Sequence, residues 1–398
     1  MRRQLDAVWA GHDAEWRDTA QVASHWEEAR SIDPRLLRFK VRGAFWEVLE
    51  RTRATLLVTR EYEHLVVALS IRGGRPELTY LRLPHPSGLA YDRERQMVHL
   101  ASTRNPNQIL RLAPITDLQR RRDVKLERLK GRPLLPVESR FYPGCTYLHD
   151  LALVGGVLHA NAVGQNALVR VEPDGRLSRV WWPRCIETPK GPLFERNHIQ
   201  LNSIAAGGSL EESFFSASSD RISSRRPGHR NFPVDRLGVI FSGKTREPIA
   251  RGLTRPHSAR LHGGRIWVAN SGYGELGFIV FEGAGRLETV VRLPGWGRGL
   301  AFCQDVAFAG TSRVIPRFRS YAPGLDLDKS ECAVHAVDSR TGRVLGSLIW
   351  PAGNQIFAID WAPRSVVSGF PFSLGSRGDS ERARRIFYAY QPNGATSG

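Results

Sequence analysis

One short segment recurs six times between residues 87 and 359 of this 398-residue chain. Each copy begins with a polar residue and continues with small or apolar residues, and a second strand-like run follows most copies at a nearly constant distance. The copies are Ser87-Gly-Leu-Ala-Tyr91, His149-Asp-Leu-Ala-Leu153, Asn202-Ser-Ile-Ala-Ala206, His257-Ser-Ala-Arg-Leu261, Arg298-Gly-Leu-Ala-Phe302 and Gln355-Ile-Phe-Ala-Ile359. Short β-rich runs that repeat between Gly, Pro and Asn turns predict an all-β fold, a six-bladed β-propeller.

The sixth copy is followed by too little regular sequence to complete a blade. Three runs near the other end of the chain, at residues 55–60, 64–70 and 77–83, match the second, third and fourth strands of the repeat. We therefore expect N-terminal strands to complete the last blade and close the ring, which leaves no exposed strand edge around it.

The chain divides into an N-terminal helical extension (1–43), the propeller (44–364) and a Gly/Ser/Arg-rich C-terminal tail (365–398). Short helices are expected in the first segment. No apolar run approaches the ~20 residues that a membrane span needs. The first residues lack the apolar core of a secretion signal, and the four cysteines form no C-x-x-C pair. These features predict a cytoplasmic protein without a membrane partner.

All inner strands of a propeller begin at the same end of the central channel, which we call the mouth, and the second strands end there. Ligand sites are concave and use a few converging polar groups, so the polar first residues of the six copies predict a site at the mouth. The predicted catalytic residues are His149, Asp150, His257 and Arg298. The predicted substrate-binding residues are Arg60, Asn161, His198, Asn202, Arg260, Asn270, Ser271 and Gln355.

The charge of the chain indicates an acidic partner. Its 57 basic residues exceed its 39 acidic residues, which gives a formal net charge of +18. Such an excess attracts anionic molecules and speeds their association. Two long arginine-containing loops, 219–237 and 312–330, are expected to overhang the mouth. Nucleic acid is an unlikely partner because the Trp and Tyr residues are scattered and form no stacking platform.

Four stretches carry a family resemblance. They are Arg196-Asn-His-Ile-Gln-Leu-Asn-Ser203, Gly252-Leu-Thr-Arg-Pro-His-Ser-Ala-Arg260, Asn270-Ser-Gly-Tyr-Gly-Glu-Leu-Gly277 and Pro294-Gly-Trp-Gly-Arg-Gly-Leu-Ala301. They resemble the bacterial propellers catalogued as domain of unknown function 4915, from about Phe45 to Pro363. This resemblance implies the propeller fold and no particular activity.

A narrower resemblance is to the aziridine-forming cyclases of azinomycin-type pathways. It implies a biosynthetic enzyme whose anionic amino-acid substrate is bound to a small, acidic amino-group carrier protein. The arginines of the two long loops would then bind the carrier. They are Arg221, Arg225, Arg226, Arg230, Arg317 and Arg319.

Ring closure of a β-amino sulfate ester needs a base for the ammonium proton and cationic groups for the departing sulfate, and no cofactor. Asp150 or His149 would be the base, and Arg298 would lead the anion clamp, because a guanidinium fork fits a sulfate group. Structural roles stay open for the same residues. Asp150 could accept hydrogen bonds from a backbone turn, the histidines could be hydrogen-bonded to one another or to water in the channel, and Arg260 could pair with an acidic residue between blades. Ser258 and His257 are not expected to form a nucleophile and base pair, because adjacent strand residues point to opposite sides.

Two other function classes remain open. One is a non-catalytic propeller that binds an acidic protein or polysaccharide through its basic loops. The other is a metal-dependent hydrolase or lyase, since His149, His198, His257 and Asp150 have suitable ligand types. We expect no metal, because the histidines belong to different blades and Arg298 would repel a cation.

Overall fold

The computed structural model describes residues 32–103, 107–119, 131–223, 234–281 and 283–373, together with Ile386 and Ala389. Within these residues the chain forms six antiparallel sheets of four or five strands and one small two-stranded hairpin. The innermost strands of the six sheets contact one another in a closed circle. The fold is therefore the predicted six-bladed β-propeller.

Four blades take their strands from one continuous segment each. Blade 1 contains β5 (Pro86–Asp92), β6 (Met97–Ser102), β7 (Asn107–Pro114) and β8 (Leu134–Tyr142). Blade 2 contains β9 (Leu148–Val154), β10 (Val157–Ala162), β11 (Ala167–Val171) and β12 (Leu177–Trp181), and the hairpin β13 (Glu187–Thr188) and β14 (Gly191–Pro192) follows it. Blade 3 contains β15 (Leu201–Ala205), β16 (Phe214–Ala217), β17 (Gly238–Ser242) and β18 (Pro248–Leu253). Blade 4 contains β19 (Pro256–His262), β20 (Arg265–Asn270), β21 (Glu275–Val280) and β22 (Arg286–Arg292).

The last two blades combine segments from both ends of the chain. Blade 5 contains β23 (Trp296–Cys303), β24 (Val306–Ser312), β25 (Ala333–Asp338), β26 (Val344–Ile349) and the outermost strand β1 (Lys40–Gly43). Blade 6 contains β27 (Ile359–Pro363), β2 (Ala54–Arg60), β3 (Leu65–Arg72), β4 (Arg75–Arg82) and the outermost strand β28 (Phe372–Ser373). Closure of the ring by N-terminal strands is confirmed, and the outermost strands β1 and β28 are additions to the predicted blades.

The α-helix whose bounds the structure describes is α1 (Phe45–Thr52). Its apolar residues Phe45, Val48 and Leu49 recur at helical spacing, and this buried face packs in the core between blades 5 and 6. The 3₁₀ helices are Pro34–Leu37, Glu61–Glu63, Val163–Gln165, Arg184–Ile186, Ser271–Tyr273, Pro316–Tyr321 and Leu327–Lys329. In the described part of the chain, no helix has the length and apolar character needed to cross a membrane.

Each of the six blade interfaces has its own apolar core. The core between blades 5 and 6 is large and includes Trp350 and Phe308, whereas the core between blades 1 and 2 includes four alanines, Ala90, Ala101, Ala160 and Ala162. Side chains alternate across a strand, so each sheet contributes one apolar face to each of two interfaces. Residues near the channel can then be polar without weakening these cores.

The predicted end segments are described in part. Residues 1–31, which hold most of the expected N-terminal helices, lie outside the described residues, and residues 32–43 form a 3₁₀ helix and β1. The first residues of the predicted tail are packed: Val367 and Phe370 are buried against blades 6 and 1, and β28 pairs with β4.

Candidate functional site

Side chains of four blades meet at the mouth, namely His149, His257, Arg298 and Phe357. In blades 1 to 5 the inner strand carries a bulge or register shift near its first residues, which changes the direction of the side chains there. The first positions of the copies in blades 1 to 5 are Ser87, His149, Asn202, His257 and Arg298, and all are buried.

In blade 6 the side chain at the mouth is Phe357, two residues after the predicted Gln355, whose substrate-binding role stays a prediction. Ile359 pairs with Val58 of the second strand just as Leu300 pairs with Ala309, so Phe357 is the counterpart of Arg298. The Phe357 ring contacts the rings of His149 and His257, with centroids 4.6 Å and 5.8 Å away. An apolar ring therefore forms one wall of the mouth.

His149 and His257 lie side by side, with ring centroids 5.0 Å apart. Burial, followed by the charge of Arg298, lowers the pKa of His149 to about 3 and lowers the pKa of His257 well below its usual range. Both rings are therefore neutral at neutral pH. The Nδ1 atom of His149 lies 2.9 Å from the carbonyl oxygen of Asn202. A carbonyl oxygen only accepts, so Nδ1 carries the proton and Nε2 carries the lone pair of a potential base.

Two buried arginines stand beside the histidines. Arg298 is 7% exposed, and its guanidinium lies 4.8 Å from the Phe357 ring and 4.9 Å from the Trp296 ring. Arg255, which sequence analysis missed, is also 7% exposed; it donates to the Ser218 hydroxyl at 3.2 Å and stacks on Tyr321 at 4.7 Å. Burial, together with the nearby charge of Arg298, lowers the pKa of Arg255 to about 10.

Arg255 occupies a recurrent strained position. It has a φ of 53° and directly precedes the inner strand of its blade, as do His85, Tyr147 and Gln200 in theirs, all with positive φ. A left-handed backbone costs a non-glycine residue about 1–2 kcal/mol, so it persists where surrounding structure holds it. This position before the inner strand could have been found by extending each repeat copy by two residues.

Asp150 and Arg260 are paired with each other. Arg260 donates from Nη1 to Oδ2 of Asp150 at 2.8 Å and from Nη2 to Oδ1 at 3.2 Å, and the Ile204 amide also donates to Oδ2 at 3.0 Å. Burial alone would lower the pKa of the Arg260 guanidinium. The attraction of the Asp150 carboxylate is stronger than this effect, so the pKa of Arg260 is raised. Asp150 thus accepts three hydrogen bonds. This pairing argues against a base role for Asp150 and a substrate-binding role for Arg260.

The second residues of three copies, Asp150, Ser203 and Ser258, belong to a ring of hydrogen bonds that we call the inter-blade belt. In it, a side chain of one blade bonds the inner-strand backbone of the next. Its six bonds join Ser87 Oγ to Leu148 O (3.0 Å), Ile204 N to Asp150 Oδ2 (3.0 Å), Ala259 N to Ser203 Oγ (2.7 Å), Gly299 N to Ser258 Oγ (2.8 Å), Ile356 N to Ser312 Oγ (3.0 Å) and Tyr91 N to Asp360 Oδ2 (2.8 Å). The belt gives Asp150 a structural role shared by its counterparts.

The structure overturns one expectation about Ser258. Its φ of 55° breaks the alternation of the strand, and its hydroxyl lies 2.8 Å from Nδ1 of His257. Ser258 and His257 therefore do contact each other. Since the hydroxyl also accepts from Gly299 in the belt and is buried, this contact orients the His257 ring.

Three other predicted ligands are committed to neighbouring protein groups. Arg60 is fully buried away from the channel, where it donates to the carbonyls of Leu36 and Ala352 and stacks on Trp350. Asn270 accepts from the Thr254 amide and donates to Glu275, and Ser271 donates to the Gly297 carbonyl. These contacts favour structural roles for Arg60, Asn270 and Ser271.

Three further predicted ligands are Asn202, whose backbone orients His149, and His198 and Asn161, which have side-chain atoms without a hydrogen-bond partner in the described part of the chain. Asn202 donates to Ser218 and to the Pro256 carbonyl, while its own carbonyl orients His149. His198 contacts the Ser223 carbonyl through Nδ1, and its Nε2 has no hydrogen-bond partner in the described part of the chain. The buried side-chain amide of Asn161 likewise has none among the described residues.

A family model described as domain of unknown function, DUF4915, matches residues 43–369. The chain belongs to this family. The resemblance inferred from its four motifs is thereby confirmed. No curated protein sequence matches the chain.

Solved structures resemble this DUF4915 protein in fold. A chain of the nidogen/laminin complex has a TM-score of 0.50 at 11% identity, covering 78% of this chain and 98% of that one. A Xanthomonas campestris gluconolactonase has a TM-score of 0.45 at 13% identity, covering 75% and 86%. A putative glucose dehydrogenase from Thermus thermophilus has a TM-score of 0.44 at 15% identity, covering 74% and 92%. Likenesses at such low identities concern the fold alone.

The two long loops of the DUF4915 protein meet at the mouth. Val234 from the first loop packs with Tyr321 and Val314 from the second and with Trp296 of blade 5. Arg221 and Arg319 are exposed on these loops. Arg225, Arg226 and Arg230 lie outside the described residues, as does the side chain of Arg317.

The residues considered as metal ligands at the mouth do not converge, because two of them form hydrogen bonds with other protein groups. Asp150 points to Arg260 and His198 to Ser223, which leaves His149 and His257 as neighbours. In the ranges that the structure describes, no group of three or more His, Cys, Asp or Glu residues is placed to hold a metal ion.

Proposed function

We propose that the mouth binds a small anionic substrate and that the protein is an enzyme. The observation that carries the proposal is Arg255, a buried guanidinium with no carboxylate within ion-pair distance among the described residues, close to Arg298. Burying a cation without a counter-charge is costly, and the cost falls when a bound anion supplies that charge. The aromatic rings of Tyr321, Trp296 and Phe357 enclose the site and strengthen such a pairing.

The sharpest form of the proposal is aziridine formation from a β-amino sulfate ester. His149 Nε2 would take one ammonium proton, and the freed amine lone pair would form the new C–N bond at the carbon that carries the ester. The C–O bond would break with its electron pair going to sulfate, which Arg255 and Arg298 would hold. Burial is the main cause of the low His149 pKa and the charge of Arg298 is the second; a bound anion would neutralise that charge and make this ring a stronger base.

The step itself needs the reacting atoms in line, and an enclosed mouth favours that arrangement. Asn202 would act indirectly by fixing the His149 tautomer through its carbonyl. Phe357 would exclude water from the rear of the site.

We further propose that the substrate is presented by an acidic carrier protein. The support is the net charge of +18 and the exposed Arg221 and Arg319 on loops that meet at the mouth. Attraction between exposed charges is screened by salt, so binding of an acidic carrier should weaken steeply as ionic strength rises. Salt-insensitive or absent binding in native mass spectrometry would contradict this partner.

The test of the enzyme is sulfate release from a synthetic β-amino sulfate ester, measured by ion chromatography and by the product mass. We expect Arg298→Met and Arg255→Met to lower kcat and raise KM, because both bind the sulfate group as it departs. We expect His149→Gln to lower kcat by roughly 10²–10³-fold as a lost general base. Arg176→Met, on an exposed arginine paired with Asp174, is the matched control.

The outcomes separate the proposal from its rival, a non-catalytic propeller that binds an acidic protein. Full activity in both Arg298→Met and His149→Gln would refute the catalytic site. No turnover by the wild type, together with carrier binding that is lost on Arg221→Ala and Arg319→Ala, would favour the rival.

A further inference from the structure

A second cavity lies outside the mouth, in the cleft between blades 1 and 2. It has a volume of about 570 Å³, within the usual range for small-molecule sites. Its lining includes Arg95 and Gly156, from the β5–β6 and β9–β10 turns, which lie at the end of the propeller opposite the mouth. The cleft adjoins the apolar core of this interface, because Ile109 and Tyr142 belong to both and Leu158 and Val171 pack against that core.

Two buried polar groups in this cleft have no hydrogen-bond partner among the described residues. They are the hydroxyl of Tyr142, a residue only 9% exposed, and Nδ1 of His99, a residue 8% exposed. Buried polar groups are nearly always bonded in folded proteins, because leaving one unbonded costs about 1–3 kcal/mol. A ligand or water in the cleft would supply the missing partner.

The charged rim of the cleft carries one surplus cation. Glu138 is shared by two arginines, Arg111 and Arg140, each 2.6 Å from one of its oxygens. The other rim arginines have a carboxylate each, in the pairs Arg95–Asp92 (2.9 Å) and Arg170–Glu172 (2.7 Å). Four cations thus face three anions. The apolar part of the lining comes from Met97, Ile109, Leu153, Leu158 and Val171.

We propose that this cleft is a second ligand site for a small amphipathic anion, an aromatic or branched apolar body that bears one carboxylate or sulfonate. The apolar body would pack on the faces of blades 1 and 2. The anionic group would bind Arg111 and Arg140. It would supply a second negative charge to these two arginines, which otherwise share the carboxylate of Glu138. The site is independent of the mouth and of the activity proposed there.

The test uses 1-naphthoate as the probe, with its neutral analogue 1-naphthalenemethanol, and isothermal titration calorimetry on the full chain. Val157→Trp fills the cleft from a position that is exposed in the β9–β10 hairpin and should abolish binding of both compounds. Arg111→Met should weaken naphthoate about tenfold and leave the alcohol unchanged, because one charge-assisted hydrogen bond is lost. Arg176→Met is the matched surface control, and Arg255→Met the control for the mouth.

Each outcome decides a part of the proposal. Absence of naphthoate binding at millimolar concentration, or binding that persists in Val157→Trp, overturns the site. Equal losses for naphthoate and the alcohol in Arg111→Met overturn the anionic class. Loss of naphthoate binding in Arg255→Met would place the probe at the mouth and overturn the independence of the two sites.

Discussion

Replacing Asp150 by asparagine separates a structural role from a catalytic one. The substitution keeps the shape of the side chain and one acceptor for the Ile204 amide, but removes the charge that faces Arg260. Removing one partner of a fully buried ion pair typically costs about 3–5 kcal/mol, and the 20% exposure of the Arg260 side chain reduces this to about 2–4 kcal/mol. We expect this loss in the free energy of unfolding, measured by urea titration followed by circular dichroism and by tryptophan fluorescence.

Two further variants make the result interpretable. In Asp150→Asn/Arg260→Met the uncompensated cation is gone, so at least half of the lost stability should return. Asp305→Asn, in the exposed Asp305–Arg340 pair, should cost about 0–1 kcal/mol. A loss below about 1 kcal/mol for Asp150→Asn would refute the structural assignment. If such a stable variant also lacked activity, the base role predicted from sequence would be restored.

Three other outcomes are expected. Millimolar sulfate should raise the melting temperature of the wild type and have no effect on Arg255→Met, because an anion that binds the native state stabilises it; equal shifts in both would contradict the site. Because the folded pKa of His149 is about 3 and the unfolded value is near 6.5, its contribution to stability is intact above the unfolded pKa and is lost as the pH falls. Lowering the pH from about 7 to about 5 should cost about 2 kcal/mol through this residue, and urea titrations of His149→Gln should show a correspondingly smaller loss. Gly299→Ala should cost about 2–4 kcal/mol in the same assay, because its φ is 80° and its new methyl would meet Ile359; Gly264→Ala, with a similar φ and open space, should cost about 1 kcal/mol.

The blades could be predicted because strand periodicity and turn residues are local. The sixth copy shows the limit of that method. Its first residues, from Gln355, precede β27 and form no regular strand, so the register that selects Phe357 depends on pairing with β2 at the other end of the chain. A short apolar motif does not determine which of its residues pair with the neighbouring strand, so the register can be assigned only when that strand is known.

The site was predictable in part for the same reason. The ring positions His149, His257 and Arg298 follow from the repeat. The pairing of Asp150 with Arg260 joins blades 2 and 4 and depends on side-chain reach, which spacing does not contain. Arg255 lies just before the repeat motif, in a left-handed conformation that its residue type gives no reason to expect.

Blade 6 combines strands from both ends of the propeller, so the ring can close only after its last inner strand has been synthesised. Strands β2 to β4 leave the ribosome early, yet Ala54 pairs with Pro363, which is among the last residues of the propeller to emerge. Two bonds of the belt also await that segment: the Ile356 amide donates one to Ser312, and the Asp360 carboxylate accepts the other from Tyr91. Until then blades 1 to 5 are an open arc with apolar faces at both ends, a state prone to association with other chains. Once the circle is joined, no blade can detach without losing two neighbours at once, and the intact ring should therefore open slowly.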